Sequence, residues 1–343
     1  MKKIKSRKLQ QAIAMKSILI AVALGLCLSP VPTVAAAGEG REPRDDSTKI
    51  PVIYDTDIGD DIDDTWALGM ILNSPELDVK LVVGDQGKPL YRARLIAKFL
   101  QTVGRTDVPV GIGGGRNRDA GGNQSKWVKD YRLQDYPGKV HEDGIQAIID
   151  VIMASERPVT IVAVGPLPNI AEALRREPRI AKRARFVGMH GSVRLGYGGS
   201  EDVSAEYNVR ANAEACRKVL SAPWDVTITP LDTCGLIQLT GERYQKVLKS
   251  SSPVAQAIIE NYRIWSRARG HDHSGTKSST LFDTVAVYLA FDRELVTMER
   301  LGIRVTDDGY TRIDPNAKKM NVATAWKNQE GFKDLLVERV TKK

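Results

Sequence analysis

Ile53-Tyr54-Asp55-Thr56-Asp57-Ile58-Gly59-Asp60-Asp61-Ile62-Asp63-Asp64-Thr65-Trp66-Ala67-Leu68 joins an apolar run that reads as a buried strand (50–54) to one that reads as a helix (65–72). Six carboxylates, Asp55, Asp57, Asp60, Asp61, Asp63 and Asp64, fall within ten positions. A solvated acidic loop tolerates such repulsion, but it is rarely wedged between a buried strand and an apolar helix. One of Asp63 and Asp64 serves as a helix cap on the plainest reading. The cluster as a whole asks for a hard divalent cation, which takes oxygen ligands. An EF-hand fails on spacing, because the twelfth position counted from Asp55 is Trp66 where a bidentate Glu is needed. A dehalogenase-type phosphatase turn (strand, then Asp-x-Asp-x-Thr/Val) fits Asp55 and Asp57 but meets Gly59 at its fifth place.

Strand and helix patterns alternate outward from this segment. Strands are expected at 79–83, 108–112, 159–164, 185–189, 226–231 and 295–305. Helices are expected at 91–103 with Gly104 as C-cap, around the stripe Ile145, Ile148, Ile149, Ile152 and Met153, and at 169–176, 212–220, 254–267 and 284–290. Such alternation implies βαβ units and a mainly parallel, Rossmann-like sheet flanked by helices. Ligands of such sheets bind beyond the carboxyl ends of the strands. The turns after Tyr54, Val83 and Val164 are therefore expected on one face.

The chain of 343 residues is 42% hydrophobic and 27% charged, ordinary for a globular protein. Its net charge of +8 is misleading. Lys2, Lys3, Lys5, Arg7, Lys8 and Lys16 precede an apolar run from Ile18 to Leu28 and the small-residue stretch Ala35-Ala36-Ala37-Gly38, the order of a secretory signal peptide. Loss of residues 1–37 removes six positive charges and leaves a net charge of about +2, so a nucleic-acid partner loses its support. Residues 38–49 read as a polar lead-in and 50–343 as one catalytic domain. The expected location is periplasmic or secreted, without stable membrane insertion after cleavage. Cys216 and Cys234 are then the remaining cysteines, either bridged or buried as thiols.

Asp55-Thr56-Asp57-x-Gly59, followed by Asp63-Asp64-x-x-Ala67-Leu68, resembles the N-terminal signature of the inosine–uridine-preferring nucleoside hydrolase family. Further segments agree in order over roughly residues 50–310. Gly84-Asp85 stands for the family's Gly-Asn. Arg105-Thr106-Asp107-Val108-Pro109-Val110 is similar to its next strand entry, and His141-Glu142-Asp143-Gly144 to its His-Gly-x-Asp-Gly loop. Gly165-Pro166-Leu167-Pro168-Asn169-Ile170-Ala171, Met189-His190-Gly191, Ala205-Glu206-Tyr207-Asn208 and Phe282-Asp283 resemble the later motifs.

The resemblance implies one Ca²⁺, with Mg²⁺ the weaker alternative, and hydrolysis of the N-glycosidic bond of a ribonucleoside or related riboside to ribose and free base. It assigns metal ligation to Asp57, Asp64 and Asp283 and to the carbonyl of Pro168, with Asp61 a competitor. Asp57 is the implied general base. Asp63, Asp85, Met189, Glu206 and Asn208 are implied in substrate binding. A homo-oligomer is compatible with it.

The departures concern the leaving group and the rim. Asp60-Asp61 is an insertion, and Phe282 replaces a His that often serves as leaving-group acid. His141, or His271 in the triplet His271-Asp272-His273, is the remaining candidate acid. Two other readings stay open: a Mg²⁺ phosphohydrolase of the dehalogenase type, and a non-catalytic nucleoside- or sugar-binding protein. Gly111-Ile112-Gly113-Gly114-Gly115-Arg116 lacks the dinucleotide fingerprint and reads as a loop near the site. Trp127, Tyr131 and Tyr136 read equally as base-stacking or as packing aromatics.

Overall fold

β1 (Ile50–Thr56) is buried along nearly its whole length, which requires cover on both faces and suits a central parallel strand. The computed structural model describes residues 49–115, 120–270 and 272–343. The segment 1–37 expected to be a signal peptide, the expected lead-in up to residue 48, Arg116 and His271 lie outside the described residues.

Among the described residues ten strands form one sheet. After β1 come β2 (Leu77–Gly84), β3 (Val110–Gly111), β4 (Val140–His141), β5 (Val159–Ala163), β6 (Ala184–Met189), β7 (Val226–Thr229), β8 (Val296–Val305), β9 (Thr311–Ile313) and β10 (Lys319–Trp326). Their order is β4-β3-β2-β1-β5-β6-β7-β10-β8-β9. The eight strands from β4 to β10 are parallel, and β8 and β9 close one edge antiparallel. The chain winds outward from β1 through β2, β3 and β4, then returns to the other side of β1 at β5. The reversal of direction leaves a crevice beyond the ends of β1 and β5, where such sheets bind their ligands.

The helices are α1 (Asp63–Leu72), α2 (Pro89–Thr102), α3 (Gly144–Ala154), α4 (Pro168–Arg176), α5 (Tyr207–Ala211), α6 (Ala213–Ser221), α7 (Leu231–Cys234), α8 (Gly241–Leu248), α9 (Pro253–Ala268), α10 (Asp283–Leu289) and α11 (Gln329–Thr341). Alternate strand residues feed two cores. Val52 and Tyr54 pack with α1, α2 and α8–α11, whereas Ile53 packs with α3, α4 and α6. Every residue of α1 is buried, so its apolar side chains need no stripe. Trp66, Leu68, Met70 and Ile71 each stabilise the fold by about 1.5–3 kcal/mol through burial.

The expected α/β architecture is what the chain adopts, with local differences. β3 has two residues rather than five, because Pro109 precedes it and the glycine run follows. β7 stops at Thr229, since Pro230 ends the ladder and Leu231 opens α7. Gly104 takes the left-handed conformation (φ 73°) that a helix end requires. Cys216 and Cys234 are buried free thiols. The aromatics at 127 and 136 pack: Trp127 is buried beside Phe99, and the Tyr136 hydroxyl donates to the Val108 carbonyl (2.6 Å).

Candidate active site

Four helices begin around the crevice, and three of them carry carboxylates where they start. Asp63 and Asp64 open α1, Asp283 opens α10 and Glu206 caps α5. Free N–H groups and the positive end of each helix dipole favour an anion there. The fourth helix, α4, starts at Pro168 behind the left-handed Leu167 (φ 71°).

Asp63, Asp64 and Asp283 are each buried and offer one oxygen apiece within 4.8 Å of one another. Two groups of β1 orient Asp64: Thr56 donates to its Oδ1 (2.5 Å) and the Tyr54 hydroxyl to its carbonyl (3.2 Å). Burial, then repulsion from neighbouring aspartates, pushes all three carboxyls well above the usual range. If ionised together they repel by about 3 kcal/mol per pair at an effective dielectric near 20. Among the described residues no basic side chain forms a direct ion pair with any of the three. An all-oxygen set of three carboxyls with no directly paired basic group, Arg92 acting on Asp64 only from a distance, fits a hard divalent cation.

Asp57 follows β1 and is buried. Its carboxyl is raised to about 6, by burial first and against the pull of Arg92. Arg92, itself buried in α2, donates to the carbonyls of Asp57, Ile58 (2.8 Å) and Gln86 (2.9 Å), and to Asp60 (3.0 Å). Gly59 (φ 115°) lets this loop lie on α2, because a Cβ there would stand 2.5 Å from the Tyr91 ring. Asp60 is anchored from three directions. Lys88 and Arg92 bind its carboxylate, while Asn123 (2.7 Å) and Trp265 (3.0 Å) donate to its carbonyl. Asp61 stands exposed at the mouth, its backbone carbonyl held by Gln124.

The turn after β5 closes the other wall. Asp85 accepts from the N–H groups of Leu167 (2.9 Å) and Asn169 (3.4 Å), and Asn169 reaches Asp55 (2.9 Å). His190 is fully buried and its Nε2 lies 2.9 Å from the Gly165 carbonyl. Gly165 sits where a Cβ would be 2.9 Å from Asp85 and 3.2 Å from Asp57. Glu206 accepts from the N–H groups of Gly191, Asn208 and Val209. Burial still lifts its carboxyl to about 7. Both amide hydrogens of Asn208 go to the carbonyls of Val164 (2.8 Å) and Met189 (3.1 Å), which leaves Oδ1 open to a ligand.

The crevice holds a cavity of about 320 Å³, at the lower end of the small-molecule range. Of the residues singled out in the sequence, Asp57, Asp61, Asp63, Asp64, Met189, Glu206, Asn208 and Asp283 line it. Asp85 and Pro168 do not; Asp85 lies behind the wall and caps the start of α4. His141 is on edge strand β4, three strand spacings or roughly 14 Å from β1. No histidine among the described residues lines the cavity. The sequence reading missed Asn123, Tyr197 and Arg269 as lining groups and Arg92 as the buried counter-charge. Arg92 carried a signal: it falls on the apolar stripe of α2 at the helical spacing of Ile96, Phe99 and Val103.

The sequence profile described as "Inosine-uridine preferring nucleoside hydrolase" matches residues 52–334. A pyrimidine-specific ribonucleoside hydrolase, RihA, from Citrobacter koseri is 28% identical over 323 residues, covering 85% of this chain and 98% of the relative. The plant nucleoside hydrolase PpNRh1 superposes with a TM-score of 0.73 at 22% identity, covering 86% of this chain and 99% of that one. A purine-preferring ribonucleoside hydrolase from Gardnerella vaginalis gives 0.69 at 23% identity, covering 85% and 98%. The chain belongs to the inosine–uridine-preferring nucleoside hydrolase family and is an N-glycosyl hydrolase of the nucleosidase type.

Proposed function

We propose that this protein is an exported, Ca²⁺-dependent hydrolase that splits the N-glycosidic bond of ribonucleosides, giving ribose and free base. The observation that carries the reading is the Asp63–Asp64–Asp283 trio at the floor of a nucleoside-sized cavity, with Asp57, Glu206 and Asn208 lining the same space. Asp64 and Asp283 would hold the ion, with Asp57 beside them and Asp63 shared between ion and sugar. When bound, a divalent cation lowers the pKa of a water and fixes sugar hydroxyls by coordination. Asp57 accepts the proton of the attacking water; a carboxyl lifted towards neutrality is a better base than an exposed one. Glu206 and the Asn208 Oδ1 accept hydrogen bonds from ribose hydroxyls, contacts that strengthen as positive charge develops on the ring. Met189 supplies an apolar seat for the sugar. The relatives divide between pyrimidine-specific and purine-preferring enzymes, so base preference is assigned to neither.

Export rests on the basic, apolar and small-residue order of residues 1–37. Among the described residues no helix is long and apolar enough to cross a membrane. The N-terminal sequence of the mature protein tests this; an intact Met1 would sink it. For the chemistry, p-nitrophenyl riboside, uridine and inosine are offered with added Ca²⁺ and after chelation. Release of p-nitrophenolate or base that disappears on chelation and returns with Ca²⁺ is expected. Metal-independent turnover, or phosphate release from p-nitrophenyl phosphate instead, would overturn the proposal.

A further inference from the structure

Cleaving a glycosidic bond to a nucleobase leaves an electron pair on the base, and a poor leaving group needs a hydrogen-bond donor there. The family's usual His is Phe282 in this chain, and the described histidines do not replace it. His141 is on the far edge strand. His190 is buried behind the wall with its Nε2 on the Gly165 carbonyl. His273 is exposed in the turn after α9 and does not line the cavity.

What stands against Phe282 is Tyr197. The two rings meet edge to face with centroids 6.0 Å apart, and both line the cavity. Tyr197 is 44% exposed, so its ring forms the rim rather than the core. The loop is built to present it. Gly196 approaches the Asp202 carbonyl so closely that a Cβ would lie 2.1 Å from it, and Gly198 (φ 67°) and Gly199 (φ 81°) turn the chain just after the tyrosine. The Tyr207 backbone N–H donates to the Tyr197 hydroxyl oxygen at 2.9 Å. That bond fixes the oxygen and occupies a lone pair. The hydroxyl hydrogen is donated to no protein group among the described residues, so it is available to a ligand in the cavity. Tyr207 also lines the rim, but among the described residues no protein group forms a hydrogen bond with its hydroxyl. Burial of the Tyr197 ring, then the nearby Glu206 charge, raises the phenol, which therefore stays protonated across the physiological range.

Resting on the nucleoside-hydrolase reading above, we infer that Tyr197 is the catalytic residue on the leaving-group side, donating a hydrogen bond to the base as the C1′–N bond breaks. The balance is simple. The C1′–N electron pair goes to the base, whose growing negative charge the Tyr197 O–H stabilises. Water oxygen bonds to C1′ and its proton passes to Asp57. The departed base then takes a proton from solvent, and Asp57 returns its own to solvent. Tyr197 is unchanged, so no second proton source is needed.

The test is Tyr197→Phe, which keeps the ring and its seat on Phe282. A hydrogen bond to a charged group contributes about 1.5–3 kcal/mol, equivalent to a loss of about 10- to 150-fold. On uridine or inosine, whichever the wild type turns over, Y197F should lose kcat in that range with KM within about threefold. On p-nitrophenyl riboside it should stay within about threefold, because p-nitrophenolate departs without a donor. Ribose affinity by calorimetry should not change. Equal losses on both substrates, full activity on the nucleoside, or the same split in Tyr207→Phe instead would each overturn the assignment while leaving the hydrolase reading intact. A wild-type protein that releases neither base nor p-nitrophenolate would overturn both.

Discussion

The floor and the rim of the cavity are built on opposite principles. The floor consists of buried carboxylates fixed by regular structure: Asp57 at the end of β1, Asp63 and Asp64 at the start of α1, Asp283 at the start of α10. The rim consists of aromatic and polar groups carried by loops or helix ends, exposed Tyr197, Tyr207 and Arg269 with half-buried Asn123. Moving a floor residue means moving a strand or a helix, whereas a rim residue changes with its loop. The ion and the attacking water therefore belong to the floor, and contacts to the base, the Tyr197 donor among them, belong to the rim.

The sharpest way to break this division is at the floor. Asp64→Asn or Asp283→Asn should lower turnover about a thousandfold, or about 4 kcal/mol, on every riboside alike, with loss of Ca²⁺ binding by calorimetry. A loss that depended on the base would place these groups in recognition instead. Next in size is Arg92→Met. Removing one partner from a buried charged network should cost about 3–5 kcal/mol in urea unfolding. Without the guanidinium, the Asp57 carboxyl should titrate higher, so the variant should lose more activity at pH 6 than at pH 8.

His190 tests the wall. Burial holds its ring down to about 4, so the folded state prefers the neutral form. That preference stabilises fully above the unfolded value near 6.5 and is lost as pH falls through the folded value, a swing of about 3 kcal/mol. His190→Gln keeps a donor for the Gly165 carbonyl but cannot titrate. Its urea midpoint should drop less than wild type between pH 7 and pH 4. The smallest effect is expected at the second tyrosine of the rim, which carries no part in the leaving-group chemistry. Tyr207→Ala should raise KM by about two- to tenfold, the range of one aromatic contact, and by different factors for uridine and inosine. A uniform fall in kcat would move Tyr207 into the floor's class.

Legibility followed the same division. Five floor and supporting aspartates lie within ten residues of each other between a strand and a helix, so repulsion alone marked them. Asp283 sits far along the chain and was reached only through the family resemblance. Tyr197 lies in Gly-Tyr-Gly-Gly, a composition that signals a loop but not which way the loop faces. Arg269 carries no local signal, since only the packing of α9 brings its end to the mouth. In the fold, the βα alternation was readable up to β8 except for the two-residue edge strand β4 and the helices α5, α7 and α8. β10 was not, because Lys319, Asn321 and Thr324 interrupt its apolar residues. Its place between β7 and β8 is a tertiary pairing without a local sequence mark.

The loop at Asp60 has a consequence for how members of such a lineage can diverge. Lys88 stands just before α2 and Arg92 within it, Asn123 comes from the loop after it, and Trp265 from α9, yet all four end on one residue. A substitution at any of these positions is felt by the other three through Asp60, so they are expected to vary together. Tyr197 and Tyr207 share one hydrogen bond with each other. Drift there has few obligations elsewhere, and new nucleoside preferences can arise on that side while the opposite side stays constrained.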